Sequence, residues 1–470
     1  MNINIIFNHR IYFFLIFAIG FIFRNYNINF DDLWIDEMST FWISNPNIDI
    51  LTSYKNNSSL ELQPFFYNFL MRVFYIIFGY NDDYGRYVSA TFSSLSILSI
   101  SYISWKISKN KSYLLAAFLT SLNIYLISYA QEMRTYSMVF FFISLSILFY
   151  FLSLKKENFI NIFFLNLTIL FSIFLHPFSL ILLFSISIHI FLLFIFNKIY
   201  FKKISFSILG IFLLSIVYYL VHLKNLVPNN SEAYFFLKDL NLKFITNMYF
   251  SKYFGSRIIG ICFLLLFIVG VKRLFKKIID LKETSFLLIL FILSYTLPII
   301  YGYLFHPIIQ PKYIIFVIIP IILIISEFIF DLKKKPKIIL ISFVLILTIG
   351  NLITEQSIKQ FFVERPPHKP EINKSLYLIN NSNHKNYLIK VNTYNDIKIQ
   401  WTFAVKNYLI FLQKKNRLNV NYLDDTSQIP NYAWIICIHD LNYDGCDYKN
   451  LNVEKKINLN RLTLSLVFLE

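Results

Sequence analysis

Long apolar runs separated by short polar turns set the pattern of this chain. Runs of about 17–25 residues, the length that spans a bilayer, fall at Ile5–Phe23, Tyr87–Trp105, Tyr113–Tyr129, Ser137–Leu154 and Phe159–Leu175. The series continues at Phe178–Phe196, Ile204–Val221, Ile258–Val271, Ser285–Leu304, Ile314–Phe330 and Ile338–Ile353, eleven in all, the eighth being short. Threaded alternately, they gather Lys106, Lys155, Lys198, Lys202, Lys203, Lys272, Lys276 and Lys333–Lys335 on one face, which the positive-inside rule makes cytoplasmic. The N-terminus is then inside and the chain after Ile353 outside. The first run has the charged start of a signal peptide, but Phe23-Arg24-Asn25-Tyr26 offers no small-residue cleavage site, so it reads as a retained span.

Two stretches break the pattern. Between the first two spans, Asp31–Arg86 forms a long outer loop. Its PFFYNFLMRVFYIIF segment (Pro64–Phe78), interrupted by Asn68 and Arg72, predicts a helix lying in the membrane interface. After the polar linker Val363–Pro370 the period changes. Tyr387–Val391, Ala433–Ile438 and Leu462–Phe468 read as strands, and Glu371–Ile379 and Trp401–Leu412 as helices. The loop Lys224–Phe254, with VPNNSEAY, reads as irregular and suits a lid.

Composition agrees: 56% of the 470 residues are hydrophobic, 19% are aromatic and the mean hydropathy is +0.55, which excludes an ordinary soluble protein. The expected fold is a polytopic α-helical membrane protein of about eleven transmembrane helices. Residues 1–353 form the membrane domain, with interfacial helices in the first outer loop, and 354–470 a small C-terminal α/β extracytoplasmic domain. The net charge of +17 follows from a bias towards Lys and from topology, and implies no nucleic-acid partner. Cys437 and Cys446 in the outer tail could pair in an oxidising compartment, though nothing requires it.

The acidic residues are placed differently from the lysines. Asp31, Asp32, Asp36, Glu37, Asp49, Glu61, Asp82, Asp83 and Glu132 crowd the first two outer loops. DDLWIDE (Asp31–Glu37) sets four carboxylates at a membrane edge, a costly arrangement that points to function. Asp36 and Glu37, beside Trp34, are the catalytic candidates, and Asp31 and Asp32 read as solvated loop charges. Glu132 and Arg134 could pair with one another, and His189, inside a span, reads as packed and hydrogen-bonded.

LWIDE (Leu33–Glu37), QPFFYNFLMRVFYIIFG (Gln63–Gly79), GRYVSATFSSLSI (Gly85–Ile97), YAQEMRTYS (Tyr129–Ser137), LHPFSLILL (from Leu175) and QPKYIIFVIIP (Gln310–Pro320) resemble, in order and spacing, the bacterial C-type glycosyltransferases. Those are relatives of the protein O-mannosyltransferases and the lipid A aminoarabinose transferase. The chain departs from that pattern at Gln63, where His is usual, at Phe65 for a second Pro, and at Lys312 for Arg.

The resemblance implies inverting transfer of a sugar from a polyprenyl-phosphate-linked donor to a glycan, lipid or protein acceptor outside the bacterial cytoplasmic membrane. Asp36 would be the general base and Glu37 would orient acceptor or sugar. Arg134, Lys312, Arg86, Glu132, Tyr136, Tyr313, His176, Gln63 and Glu61 would meet the donor's phosphate or sugar. No cofactor is required, although Asp36, Glu37, Glu61 and His306 could hold a divalent metal. The competing readings are a polymerase or ligase acting on polyprenyl-linked glycans, and a transporter or flippase. A transporter should carry charge and breaks near mid-membrane, whereas these clusters sit at one face.

Overall fold

The computed structural model describes residues 3–61, 63–108, 111–225, 250–280, 283–305, 307–354, 367–392, 398–424, 429, 431–439, 446 and 451–468. The lid expected at Lys224–Phe254, most of the linker before Pro370 and His306 fall largely or wholly outside them. By contacts the chain forms two compact units: residues 1–26, 86–224 and 237–365, and residues 27–85, 225–236 and 366–470.

The first unit is helical, and all eleven apolar runs lie on helices. Among the described residues five are long and apolar enough to cross a membrane: Tyr136–Lys155, Pro177–Asn197, Lys202–His222, Glu283–Leu304 and Lys334–Ile353. The pair Ser112–Ser121 and Ile124–Ala130, bent by 53°, makes a sixth if taken as one span. Some of the others are shorter, as Phe159–Leu175 is, or diluted by serine, as in Asp82–Ser108. There Ser94, Ser96 and Ser101 donate back to carbonyls of their own helix, which quenches their polarity inside a bundle.

Ile318–Phe330, apolar on every side, is buried up to its last residue, as an all-round hydrophobic helix should be. Its one charge, Glu327, is matched by Lys277 at 2.7 Å and Thr284 at 3.2 Å. His189 is fully buried and bonded to Tyr150 (2.6 Å) and Ser285 (2.9 Å), the packed role expected of it.

The break between Ser121 and Ile124 frees carbonyls that a straight helix would bond. Arg24 supplies the donors: its buried guanidinium reaches Thr120 O (2.8 Å), Ser121 O (2.7 Å), Gly20 O (2.9 Å) and Ser93 Oγ (2.8 Å). Each carbonyl left unmet would cost about 1–3 kcal/mol. Gly20 is needed for the approach, since a Cβ there would lie 2.7 Å from Ser121 Cβ. Asn123 then restarts the helix by accepting from Leu126 N–H.

The second unit combines the early acidic segment with the tail. Its five-stranded sheet has β1 (Asn386–Asn392), β2 (Asn421–Tyr422), β3 (Tyr432–His439), β4 (Asn452–Leu459) and β5 (Leu462–Phe468) in the order β2-β1-β3-β5-β4. β1 runs parallel to β2 and β3, and β5 runs antiparallel to both of its neighbours, β3 and β4. Cys437 and Cys446 are joined in a disulfide.

Helix Lys398–Lys415 packs on β1 and on helices Ile35–Ile43 and Ile50–Leu60. Phe41 lies at the centre of that contact, stacked on Tyr80 at 4.1 Å and edge-on to Tyr75, Tyr408 and Phe411. The expected interfacial helix runs Phe66–Phe78. Arg72, its one charge, donates to the carbonyls of Asn45, Pro46 and Ile48, which makes it a brace for that loop.

Candidate functional site

In the first unit three turns, far apart in sequence, meet. Helix Ile124–Ala130 ends at a tight turn in which Arg134 N–H donates to Glu132 O at 2.8 Å, and helix Tyr136–Lys155 follows. Helix Phe159–Leu175 ends at His176, whose Nδ1 accepts from Phe178 N–H at 3.3 Å ahead of Pro177. The third turn is Gln310–Tyr313, closed by Tyr313 N–H to Gln310 O at 3.0 Å and held by Tyr253 Oη donating to Pro311 O at 3.2 Å.

Lys312 Nζ lies 5.6 Å from the Tyr136 ring centre and 5.7 Å from that of Tyr313, within cation–π range. The Tyr313 ring is 5.1 Å from His176 and 6.3 Å from Tyr136, and Tyr136 is 6.0 Å from His176. Arg134 is buried, Glu132 half-buried, and Arg86 buried near the start of helix Asp82–Ser108.

Burial pushes the His176 imidazole down to about 3, and the charges of Lys312 and Arg134 push it the same way. The ring is therefore neutral, and with Nδ1 accepting, its proton sits on Nε2. An ammonium, a guanidinium, an Nε2–H donor and two phenols make a set of donors suited to an anion.

The neutral ring has a consequence for stability. The unfolded chain takes a proton at His176 near pH 6.5 and the folded chain only near 3, so the folded state binds fewer protons between those values. Its contribution is complete above 6.5 and is lost as pH falls towards 3, at up to about 1.4 kcal/mol per pH unit. Melting temperatures across that window should fall less steeply for His176→Asn than for wild type; parallel curves would show that His176 does not carry the effect.

In the second unit Asp36 and Glu37 occupy the first turn of helix Ile35–Ile43, where carboxylates suit the positive helix end. Glu37 is fully buried: Oε2 accepts Trp34 N–H at 2.9 Å and lies 2.6 Å from Lys369 Nζ. Asp36 is half-buried, and its carbonyl accepts from Thr40 Oγ1 at 3.2 Å. The Arg461 guanidinium lies 4.7 Å over the Trp34 ring.

Asp31 and Asp32 are not the solvated charges expected. Asp31 is buried and accepts His368 N–H at 2.9 Å, and Asp32 accepts Asn373 N–H at 2.8 Å, at the free end of helix Ile372–Asn380. Asp82 and Asp83 bind Lys415 at 2.6 and 2.7 Å. Burial lowers the Lys415 pKa, but the hydrogen bonds and charges of Asp82 and Asp83 outweigh it and raise it overall. Asp49 caps helix Ile50–Leu60.

Glu61 is buried at the end of that helix, and Gln63 O accepts from Asn57 Nδ2 at 3.1 Å. Much of the acidic crowding is thus cross-chain bracing. His368, Lys369, Asn373 and Lys415, which provide it, are single polar residues with no local motif to mark them.

Of the carboxylates named for a divalent metal, Glu37 fits one poorly. A dication at Glu37 would compete with an ammonium already 2.6 Å from the carboxylate. Among the described residues no three His, Cys, Asp or Glu side chains converge, and His306 lies outside them.

No family model matches this chain, and neither does any curated protein. Solved structures do. ArnT from Cupriavidus metallidurans bound to undecaprenyl phosphate superposes with a TM-score of 0.56 at 11% identity, covering 97% of each chain. The Archaeoglobus fulgidus oligosaccharyltransferase in complex with Zn and sulfate gives 0.53 at 11% identity, over 90% of this chain and 67% of that one. The same organism's AglB with an inhibitory peptide and a dolichol-phosphate gives 0.51 at 10% identity, over 92% of this chain and 70% of that one. At such identities what is shared is the fold: a multi-pass helical membrane protein with the architecture of the C-type glycosyltransferases.

Proposed function

We propose that this chain, built on the C-type glycosyltransferase fold, moves a sugar from a polyprenyl-phosphate carrier to an acceptor at the outer face of the bacterial cytoplasmic membrane. The observation that carries this reading is the meeting of Lys312, Arg134, neutral His176, Tyr136 and Tyr313 in one cluster. It occurs on a fold shared with proteins bound to undecaprenyl phosphate and dolichol-phosphate.

In this mechanism the acceptor oxygen attacks C1 of the sugar as Asp36 takes its proton, which is general-base work. The bond from C1 to the phosphate oxygen breaks on the opposite side, inverting the anomeric centre. The phosphate leaves on its lipid with increased negative charge. Lys312 and Arg134 meet that charge, with His176 Nε2–H and the phenols as further donors, a preorganised electrostatic role. Lys312 acts as a point charge, without the bidentate fork of Arg. Glu37, neutralised by Lys369, holds the helix start that presents Asp36.

The test is transfer by purified protein from a polyprenyl-phosphate sugar, alongside envelope glycan mass spectrometry. Lys312→Ala should weaken donor use about tenfold to a hundredfold, the worth of one charged hydrogen bond, and Lys312→Arg should restore most of it. Unchanged donor dependence in both Lys312→Ala and Arg134→Ala would remove the phosphate role.

A further inference from the structure

Helices Leu180–Asn197 and Lys202–Asn225 enclose a crevice of about 460 Å³ that no part of the proposed reaction uses. Two aromatic pairs bracket it: Phe184 with Phe212 at 5.8 Å and Phe194 with Tyr200 at 5.8 Å. The two hydroxyls in its wall, Ser187 and Ser205, donate to Leu183 O and Phe201 O of their own turns, so the lining offers hydrocarbon and spent polar groups.

The Phe194 and Tyr200 end adjoins in sequence Lys198, Lys202 and Lys203, all exposed and in no ion pair among the described residues. Two acidic residues lie close by: Glu157, which accepts from Ile204 N–H at 3.2 Å and so spends an oxygen on the helix start, and Asp280, whose backbone carbonyl accepts from Asn197 Nδ2 at 3.4 Å, so the end keeps an excess of one positive charge. Three lysines at the mouth of an apolar slot complement a lipid with an anionic head and a hydrocarbon tail.

We infer that this crevice is a site for one anionic glycerophospholipid, with an acyl chain between the two helices and the phosphate on Lys198, Lys202 and Lys203. It is distinct from the donor cluster. Helix Leu180–Asn197, of 18 residues, separates the crevice's lysine end from His176 by about 27 Å, close to the thickness of a bilayer core.

Native mass spectrometry of the full chain in mild detergent, titrated with phosphatidylglycerol or phosphatidylcholine, decides this. Wild type should hold one phosphatidylglycerol well above phosphatidylcholine. Changing Lys198, Lys202 and Lys203 together to Gln should weaken phosphatidylglycerol about a hundredfold, at about fivefold per lysine, and leave phosphatidylcholine unchanged. Ser187→Trp, which fills the slot, should lose both lipids while eluting and melting as wild type; if it misfolds, the lysine variant decides alone. Equal retention of the two lipids by wild type, or no change in the lysine variant, would reduce the crevice to unselective lipid contact. Displacement of phosphatidylglycerol by undecaprenyl phosphate would overturn the assignment in favour of a donor chain.

Discussion

Asp36→Asn should lower sugar transfer by about a hundredfold to ten-thousandfold, the range a positioned general base supplies, with donor affinity and folding unchanged. The substitution keeps the side chain's shape while removing its charge and with it its ability to take a proton. It leaves untouched the Thr40 bond, which uses the Asp36 carbonyl, and the Glu37–Lys369 pair one residue on. Envelope glycans from cells carrying wild type, Asp36→Asn or no copy provide the readout, with transfer by purified protein as the direct measurement. A sugar present with wild type and missing from the other two supports the role. Full activity in Asp36→Asn would exclude Asp36 as base and revive the transporter reading.

Lys369→Met should destabilise the second unit by about 3–5 kcal/mol, the cost of stranding a buried charge by removing its partner. Glu37 is 0% exposed and its carboxylate meets Lys369 at 2.6 Å. Urea unfolding followed by tryptophan fluorescence can measure this, since Trp34, Trp42 and Trp434 belong to that unit. Lys369→Met/Glu37→Gln should recover much of the loss, because no charge then remains to be stranded. An unchanged midpoint in the single variant would mean that the pair contributes nothing to the fold.

What could be read from the sequence followed from what is local. Apolar runs of spanning length have few alternatives to helix, and each of them is helical, Tyr113–Tyr129 as two helices. The break at Leu122 and Asn123 was invisible because Asn is an ordinary residue until it caps. In the tail, the three apolar strand runs became β1, β3 and β5, whereas Asn452–Leu459 was missed: its exposed edge carries Glu454, Lys455 and Lys456, and so shows no apolar alternation. Helix Ile50–Leu60, with Lys55, Asn56, Asn57, Ser58 and Ser59 in its second half, lacked a hydrophobic period for the same kind of reason.

Within the candidate site, Arg134, His176, Lys312 and Tyr313 stood out because each lies in a turn with a recognisable pattern, and the first unit gathers them. The roles of Asp31, Asp32 and Glu37 as anchors could not be read. Their partners lie more than three hundred residues away, where a lone lysine or asparagine carries no mark.

That separation has a consequence for synthesis. A ribosome that has released Glu37 must add 332 more residues before Lys369 exists to neutralise it. Throughout that interval the nascent helices of the first unit can pack on local contacts, while the acidic segment waits with its charges unmatched, and long-range contacts of this kind form late. Chains stalled before Lys369 would thus hold a helical bundle but an unfinished acidic segment, which makes completion of the polypeptide a built-in checkpoint on the segment that carries Asp36.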